Sequence, residues 1–174
     1  KRLAASGFIL ADAAIVDVYN IDNGPVIDEE RAARLFSDRI AQKTVISGKS
    51  ETPLFSAERL RWDLLVEVAY KPGVTDPLAI TAGQTVELEF DLPKHSEMRV
   101  YTARQYLLSF SGKITAGKTT AAAVSEELYN PLIQNASVIS GAEWKAGKRP
   151  FLGSRSPASE GGGGIAVIPL SGLS

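Results

Sequence analysis

Two prolines, a glycine and an aspartate crowd into YKPGVTDP, residues 70–77, where the alternating run LLVEVAY ends. The alternation sets Leu64, Val66, Val68 and Tyr70 on one face of a strand and Leu65, Glu67 and Ala69 on the other. One face is then fully apolar and the other mixed, so the strand borders a core. Pro72 and Gly73 break such a ladder, because proline lacks the N–H and glycine has no side chain to pack. Asp76 is a residue type that caps helices and proline is favoured at the first helical position, so a helix starts at Asp76-Pro77. Beyond it, Val86, Leu88 and Phe90 alternate as in a strand, while Leu78, Ala82 and Val86 recur as in a helix. The helical reading is preferred for 79–90, with 83–99 the least regular part.

Residues 13–22, AAIVDVYNID, are rich in β-branched and aromatic side chains and close on Asn23, Gly24 and Pro25, which argues a strand. DEERAARLFSDRIAQ, residues 28–42, reads as an amphipathic helix. Asp28 is placed to cap it, Glu29 and Glu30 lie where the dipole favours anions, and Ala32, Leu35, Phe36 and Ile40 share a face. A third strand, VYTARQYLLSF (100–110), precedes TTAAAVSEELYNPLIQ (119–134). There Thr119 or Thr120 caps a predicted helix, Ala121, Val124 and Leu128 form its stripe, and Pro131 ends it. The order strand, helix, strand, strand, helix predicts an α+β fold.

Two of these pieces read as copies. LFSDRIAQ (35–42) aligns without gaps on ELYNPLIQ (127–134), and TVIS (44–47) on SVIS (137–140). A strand with a tyrosine precedes each, Tyr19 in DVYNID and Tyr106 in RQYLLS. A period of roughly ninety residues is too long for a solenoid and predicts a duplicated small domain whose halves pair about a pseudo-twofold axis.

Composition narrows the function classes. Nineteen basic and twenty acidic residues among 174 give a formal charge of −1, so no basic footprint for nucleic acid or an anionic membrane exists. GFILADAAIVDVY, the most apolar early stretch, is interrupted by Asp12 and Asp17 and is too short to span a bilayer. The chain has no cysteine and one histidine, His95, which leaves thiolate, zinc-thiolate and Ser-His-Asp chemistry little to work with. A cytoplasmic setting is expected.

GKITAGKT, residues 112–119, fits the P-loop pattern and lies between a predicted strand and a predicted helix. In that reading Lys118 reaches the outer phosphates of a nucleotide and Thr119 holds magnesium. The downstream strands ASVIS and IAVIPL carry no acidic end to complete such a site, so a turn followed by a helix cap is the preferred reading. GGGG (161–164) reads as tether, His95 as a loop residue, and Trp62 and Trp144 as core or interface anchors. Glu67, Asp76, Glu87 and Glu89 show no paired spacing that separates an acid from a base. No catalytic, cofactor-binding or metal-binding residue is therefore assigned.

At WDLLVEVAYKPGVTDPLAITA, VYTARQYLL and NPLIQ the chain resembles phosphoribosylformylglycinamidine synthase, over about residues 1–145. The likeness is to the N-terminal PurS-like region of the large synthase polypeptide. That resemblance implies a duplicated PurS-like unit, with antiparallel sheets and helices packed on one face. Residues 1–60 are then the first repeat, with its first strand expected to precede Lys1, and 61–145 the second. A flexible linker is expected over 146–164, and 165–174 as an added edge strand or the start of a following segment. The whole enzyme of that family converts formylglycinamide ribonucleotide to its amidine with glutamine, ATP and magnesium, in purine biosynthesis. Its chemistry lies in other domains, so the resemblance implies a non-catalytic assembly role, with synthetase and glutaminase domains as partners and no cofactor in this segment. The alternatives are a free-standing PurS-like oligomeric module and, further off, a small P-loop protein.

Overall fold

The computed structural model describes residues 9–38, 42–47, 62–93, 96–111, 128–148, 150 and 163–169. In chain order they form β1 (Ile9–Asp22), α1 (Glu29–Phe36), β2 (Gln42–Ser47), β3 (Leu64–Tyr70), α2 (Pro77–Glu89), β4 (Arg99–Ser111), β5 (Gln134–Ser140), α3 (Gly141–Lys145) and β6 (Gly163–Pro169). The fold is α+β. Its strands make one antiparallel sheet of order β2-β6-β1-β4-β3-β5.

The long central pair sets the frame. β1 and β4 run side by side from Ile9↔Ser111 to Asp22↔Arg99, with one register shift between Leu10 and Asp12. Because side chains alternate across a strand, that register puts Val16, Val18, Ala103, Leu107, Leu65 and Ala69 on one face. Tyr19, Ile21, Val100, Val66, Val68 and Leu108 take the other.

Both faces are core. On the first, Ala14, Val16, Val18, Leu65, Ala69, Ala103 and Leu107 cluster, and Trp62 and Trp144 pack against them. The two indoles meet edge to face with centroids 5.7 Å apart, which joins the entrance of β3 to α3. On the second face, α1 and α2 lie over one end through Ala32, Ala82 and Val86, against Tyr19, Ile21 and Met98. The other end of that face holds Leu64, Val66, Val68, Leu108 and Phe110, with Leu128 and Tyr129 packed on them.

Glu67 is one of several polar residues buried with the apolar core, beside Asn20, Asp22 and Gln105 on the same face. Its face, expected to be mixed, leaves it only 2% exposed. One oxygen of the carboxylate is paired across the sheet, where Gln105, its register partner, donates from Nε2 to Oε2 at 2.8 Å. A buried carboxylate needs such a partner, since losing water without replacement costs several kcal/mol.

Several elements differ from the sequence reading. β1 begins at Ile9, four residues before the expected strand. α1 starts after the expected cap, Asp28, which accepts from Arg31 N at 2.8 Å, yet it stops at Phe36. Ser37 Oγ donates to Ala33 O at 2.7 Å, and Gln42 N to Asp38 O at 2.7 Å while Gln42 Oε1 accepts from Asp38 N at 2.8 Å. The last two bonds hold the start of β2, Gln42, to Asp38. The helix expected to start at Thr119 or Thr120 and to end at Pro131 is absent from its described part: 128–133 is turn and Gln134 opens β5. Pro131 has no N–H to give, and the Asn130 side chain captures Leu132 N at 3.0 Å, an alternative that competes with helix. The glycine run meant as tether contributes Gly163 and Gly164 to β6, which lies inside the sheet between β2 and β1 instead of at an edge. The first repeat's expected missing strand and residues 112–127 lie outside the described residues.

Leu65 is fully buried in the Val16 cluster. Leu65→Ala is expected to lower unfolding free energy by about 2–5 kcal/mol. Leu88→Ala, at a side chain 83% exposed, is expected to change it by less than about 0.5 kcal/mol. Urea unfolding followed by circular dichroism separates the two.

Candidate functional site

A concave surface lies where β3 hands over to α2. Tyr70 is the last residue of β3, and Lys71 O accepts from Val74 N at 3.0 Å to make the turn. Gly73 sits at φ +83, a region L side chains rarely adopt, so Pro72-Gly73 breaks the strand by geometry as well as by the missing donor. Asp76 then caps α2, its Oδ1 accepting from Leu78 N at 3.0 Å and Ala79 N at 3.1 Å, with Pro77 in the first turn. The expected cap is thus the observed one.

Asp76 does a second thing that the sequence did not announce. Its Oδ2 accepts from Thr102 Oγ1 of β4 at 2.6 Å. One carboxylate therefore satisfies two helix N–H groups and ties the helix start to the central pair of the sheet. Tyr19 stands on the same face, next to Thr102 in register. Burial first, then the negative charges of Asp17 and Asp76, push its phenol above the ordinary tyrosine value, and Arg104 opposes them. Arg104 itself donates from Nε to Asp17 Oδ1 at 2.8 Å, and that bond raises its already high pKa.

The cleft beside this hinge encloses about 820 Å³ between the 71–76 turn, one side of α2 and the start of β4. Ile80, Met98 and Val100 supply apolar walls, and Lys71, Asp76, Glu87 and Arg99 the charges. Each charge is engaged within the chain. Lys71 Nζ donates to Pro131 O at 2.5 Å, and Arg99 to Ser96 O at 3.3 Å and Met98 O at 2.9 Å. Glu87 Oε1 accepts from Ser96 Oγ at 3.3 Å. Such contacts hold loops against the sheet, and the set contains no nucleophile activated by a base. Among the described residues no three histidine, cysteine or acidic side chains gather to hold a metal ion, and no helix is long and apolar enough to cross a membrane.

Of the residues weighed from sequence, Asp76 and Glu87 share this cleft. Glu67 is buried on the opposite face, and Glu89 pairs with Arg34 of α1, bracing the two helices. Trp62 and Trp144 contact each other away from the cleft. GKITAGKT with Lys118 and Thr119, and His95, lie outside the described residues. Lys71, Arg99 and Tyr101 entered the cleft unforeseen, because only the β3–β4 pairing brings 70–76 to 98–101. No protein-family model, curated protein or solved structure matches this chain.

Asp76→Ala removes both the cap and the Thr102 acceptor and is expected to cost roughly 2–3 kcal/mol of unfolding free energy. Thr102→Val is expected to cost less, and the double variant less than the sum, in a thermal or urea double-mutant cycle. A separate titration concerns α3, where Ser140 and Glu143 form a capping box. The Lys148 hydrogen bond, then those from Ser140, lower the Glu143 carboxyl to about 2. A depressed pKa means the cap is intact above the ordinary carboxylate range and is lost as pH falls through about 2. Carboxyl NMR titration is expected to find that midpoint, and Lys148→Ala to raise it.

Proposed function

We propose that the chain is a non-catalytic assembly module of the phosphoribosylformylglycinamidine synthase type, built from a duplicated PurS-like unit and working in the cytoplasm beside synthetase and glutaminase domains. The observation that carries this reading is a matching pair of hydrogen bonds at each of the two positions the sequence repeat aligns. In one, Gln42 N donates to Asp38 O at 2.7 Å and Gln42 Oε1 accepts from Asp38 N at 2.8 Å. In the other, Gln134 N donates to Asn130 O at 2.8 Å and Gln134 Oε1 accepts from Asn130 N at 2.8 Å. Each glutamine opens a strand, β2 or β5.

The sheet order supports the same reading. The strands that the sequence repeat matches, β1 with β4 and β2 with β5, stand at equal distances from the centre of the order β2-β6-β1-β4-β3-β5. A pseudo-twofold axis between the central strands has this consequence, with β6 beside β1 where β3 stands beside β4. The shared PGVTDP signature also acts structurally, as strand break, helix cap and anchor to Thr102. That is the behaviour expected of a scaffold whose partners carry ATP, magnesium and glutamine chemistry.

Two measurements test the proposal. Titrating the chain with ATP-Mg in a calorimeter, beside Lys118→Ala, is expected to give no heat; micromolar binding abolished by the substitution would make it a nucleotide-binding protein instead. Adding the chain to a phosphoribosylformylglycinamidine synthase deprived of its N-terminal region is expected to raise glutamine-dependent turnover. The absence of both binding and stimulation in that mixture sinks the assembly role.

A further inference from the structure

The sheet ends on an edge that is open in a restricted and symmetric way. Among the described residues β5 pairs with β3 alone, in the register Leu64↔Ser140 to Tyr70↔Gln134. Lys71 N donates to Ile133 O at 3.0 Å and Gly141 N to Asp63 O at 3.0 Å, which fixes the phase of the ladder. In an antiparallel pair, main-chain groups point alternately toward and away from the neighbour. Asn135, Ser137 and Ile139 therefore face β3, while Gln134, Ala136, Val138 and Ser140 face outward.

The two ends of this outward row are already closed. Gln134 N donates to Asn130 O at 2.8 Å, and Ser140 N to Glu143 Oε2 at 2.9 Å. That leaves Ala136 and Val138, whose outward N–H and C=O groups have no partner among the described residues. Protein edges of this kind normally carry a charge, a proline or a bulge that prevents pairing. β5 has none of these, and no charged residue occurs between Asn130 and Ala142. The opposite edge, β2, carries Lys43.

We infer that β5 is a self-association site, at which two copies of this chain join their sheets by antiparallel β5–β5 pairing about a twofold axis through Ser137. The geometry selects a second copy. With Ala136 opposite the partner's Val138 and the reverse, the two N–H and two C=O groups on each side make four main-chain hydrogen bonds, with none left over. Two uncharged copies of one strand carry no repulsion at the seam, and a twofold contact of identical surfaces closes on itself. The apolar cluster of Leu64, Val66, Val68, Leu108 and Phe110 already runs out to half-buried Ala136 and Val138. Pairing extends that cluster across the axis. The inference does not depend on the assembly role proposed above, and each fails separately.

The test uses sedimentation equilibrium and a thiol probe in a chain that has no cysteine of its own. The chain is expected to sediment at twice its 18.6 kDa. Ser137→Cys places the two sulfurs in a pair without hydrogen bonds, at about 4.5 Å between Cα atoms, so mild oxidation is expected to cross-link it. Asn135→Cys, whose mate lies roughly 14 Å away along the partner strand, is expected not to cross-link. Ala136→Pro deletes an N–H that the monomer does not use, so it is expected to keep its circular dichroism spectrum and weaken association at least about tenfold. A chain that stays at 18.6 kDa up to about 100 μM overturns the inference. So does a dimer that survives Ala136→Pro and gives no cross-link with Ser137→Cys, because its seam then lies elsewhere.

Discussion

The antiparallel ladder between β1 and β4 is the constraint on which the other parts rest. Its register decides which residues share a face, and hence that Val16 meets Leu107 and Leu65 while Tyr19 meets the two larger helices. A slip of one residue would turn Val16 and Val18 toward the helices and bring Asp17 into the opposite core. The Arg104–Asp17 pair, directly opposed across the strands, penalises such a slip because only the observed register brings the charges together. Half-exposed Arg104 makes this bond a small contributor to stability. Its value lies in discrimination among registers.

Against that frame, Asp76 is the joint between the sheet and α2. Most N-caps act only on their own helix, but this one also reaches a strand that is 26 residues away in sequence. The helix needs such fixing. α2 lacks a clean apolar stripe, burying Ala82 and Val86 while leaving Leu78, Ile80 and Leu88 exposed. Its orientation therefore comes from its ends and from the Arg34–Glu89 contact with α1 as much as from packing. The cleft alongside is bounded by this anchored hinge, so its shape follows from structural bonds, in keeping with the proposed assembly role.

Local chemistry made part of this legible in the sequence. The strand at 64–70, the Pro72-Gly73 break and the Asp76 cap were readable because alternation, missing donors and capping all act within a few residues. Asn23 at φ 53 likewise fits its place in an Asn-Gly turn. What could not be read depended on distant partners. Glu67 was legible only as part of a mixed face, and its burial follows from the pairing with β4 that brings Gln105 opposite it. The run 119–134 carried a convincing helical stripe, but from Leu128 onward the side-chain bonds of Asn130 and Gln134 favour a turn, and periodicity does not register such bonds. The cleft was invisible for the same reason as Glu67, since its two walls meet only through the sheet.

The central position of β1 carries a kinetic consequence. Asp17 and Arg104 are 87 residues apart, whereas the β3–β4 hairpin-like unit around α2 closes between Ala69 and Ala103. Loop-closure entropy makes the longer connection dearer by only about 0.8 kcal/mol, but it is lost before any contact of β1 compensates for it. The strand that ends in the middle of the sheet must therefore find a β3-α2-β4 platform already partly formed. Until it does, β4 has its whole Val100-to-Phe110 edge unpaired, and the interval of greatest exposure to misassembly belongs to a strand that is flanked on both sides in the finished molecule.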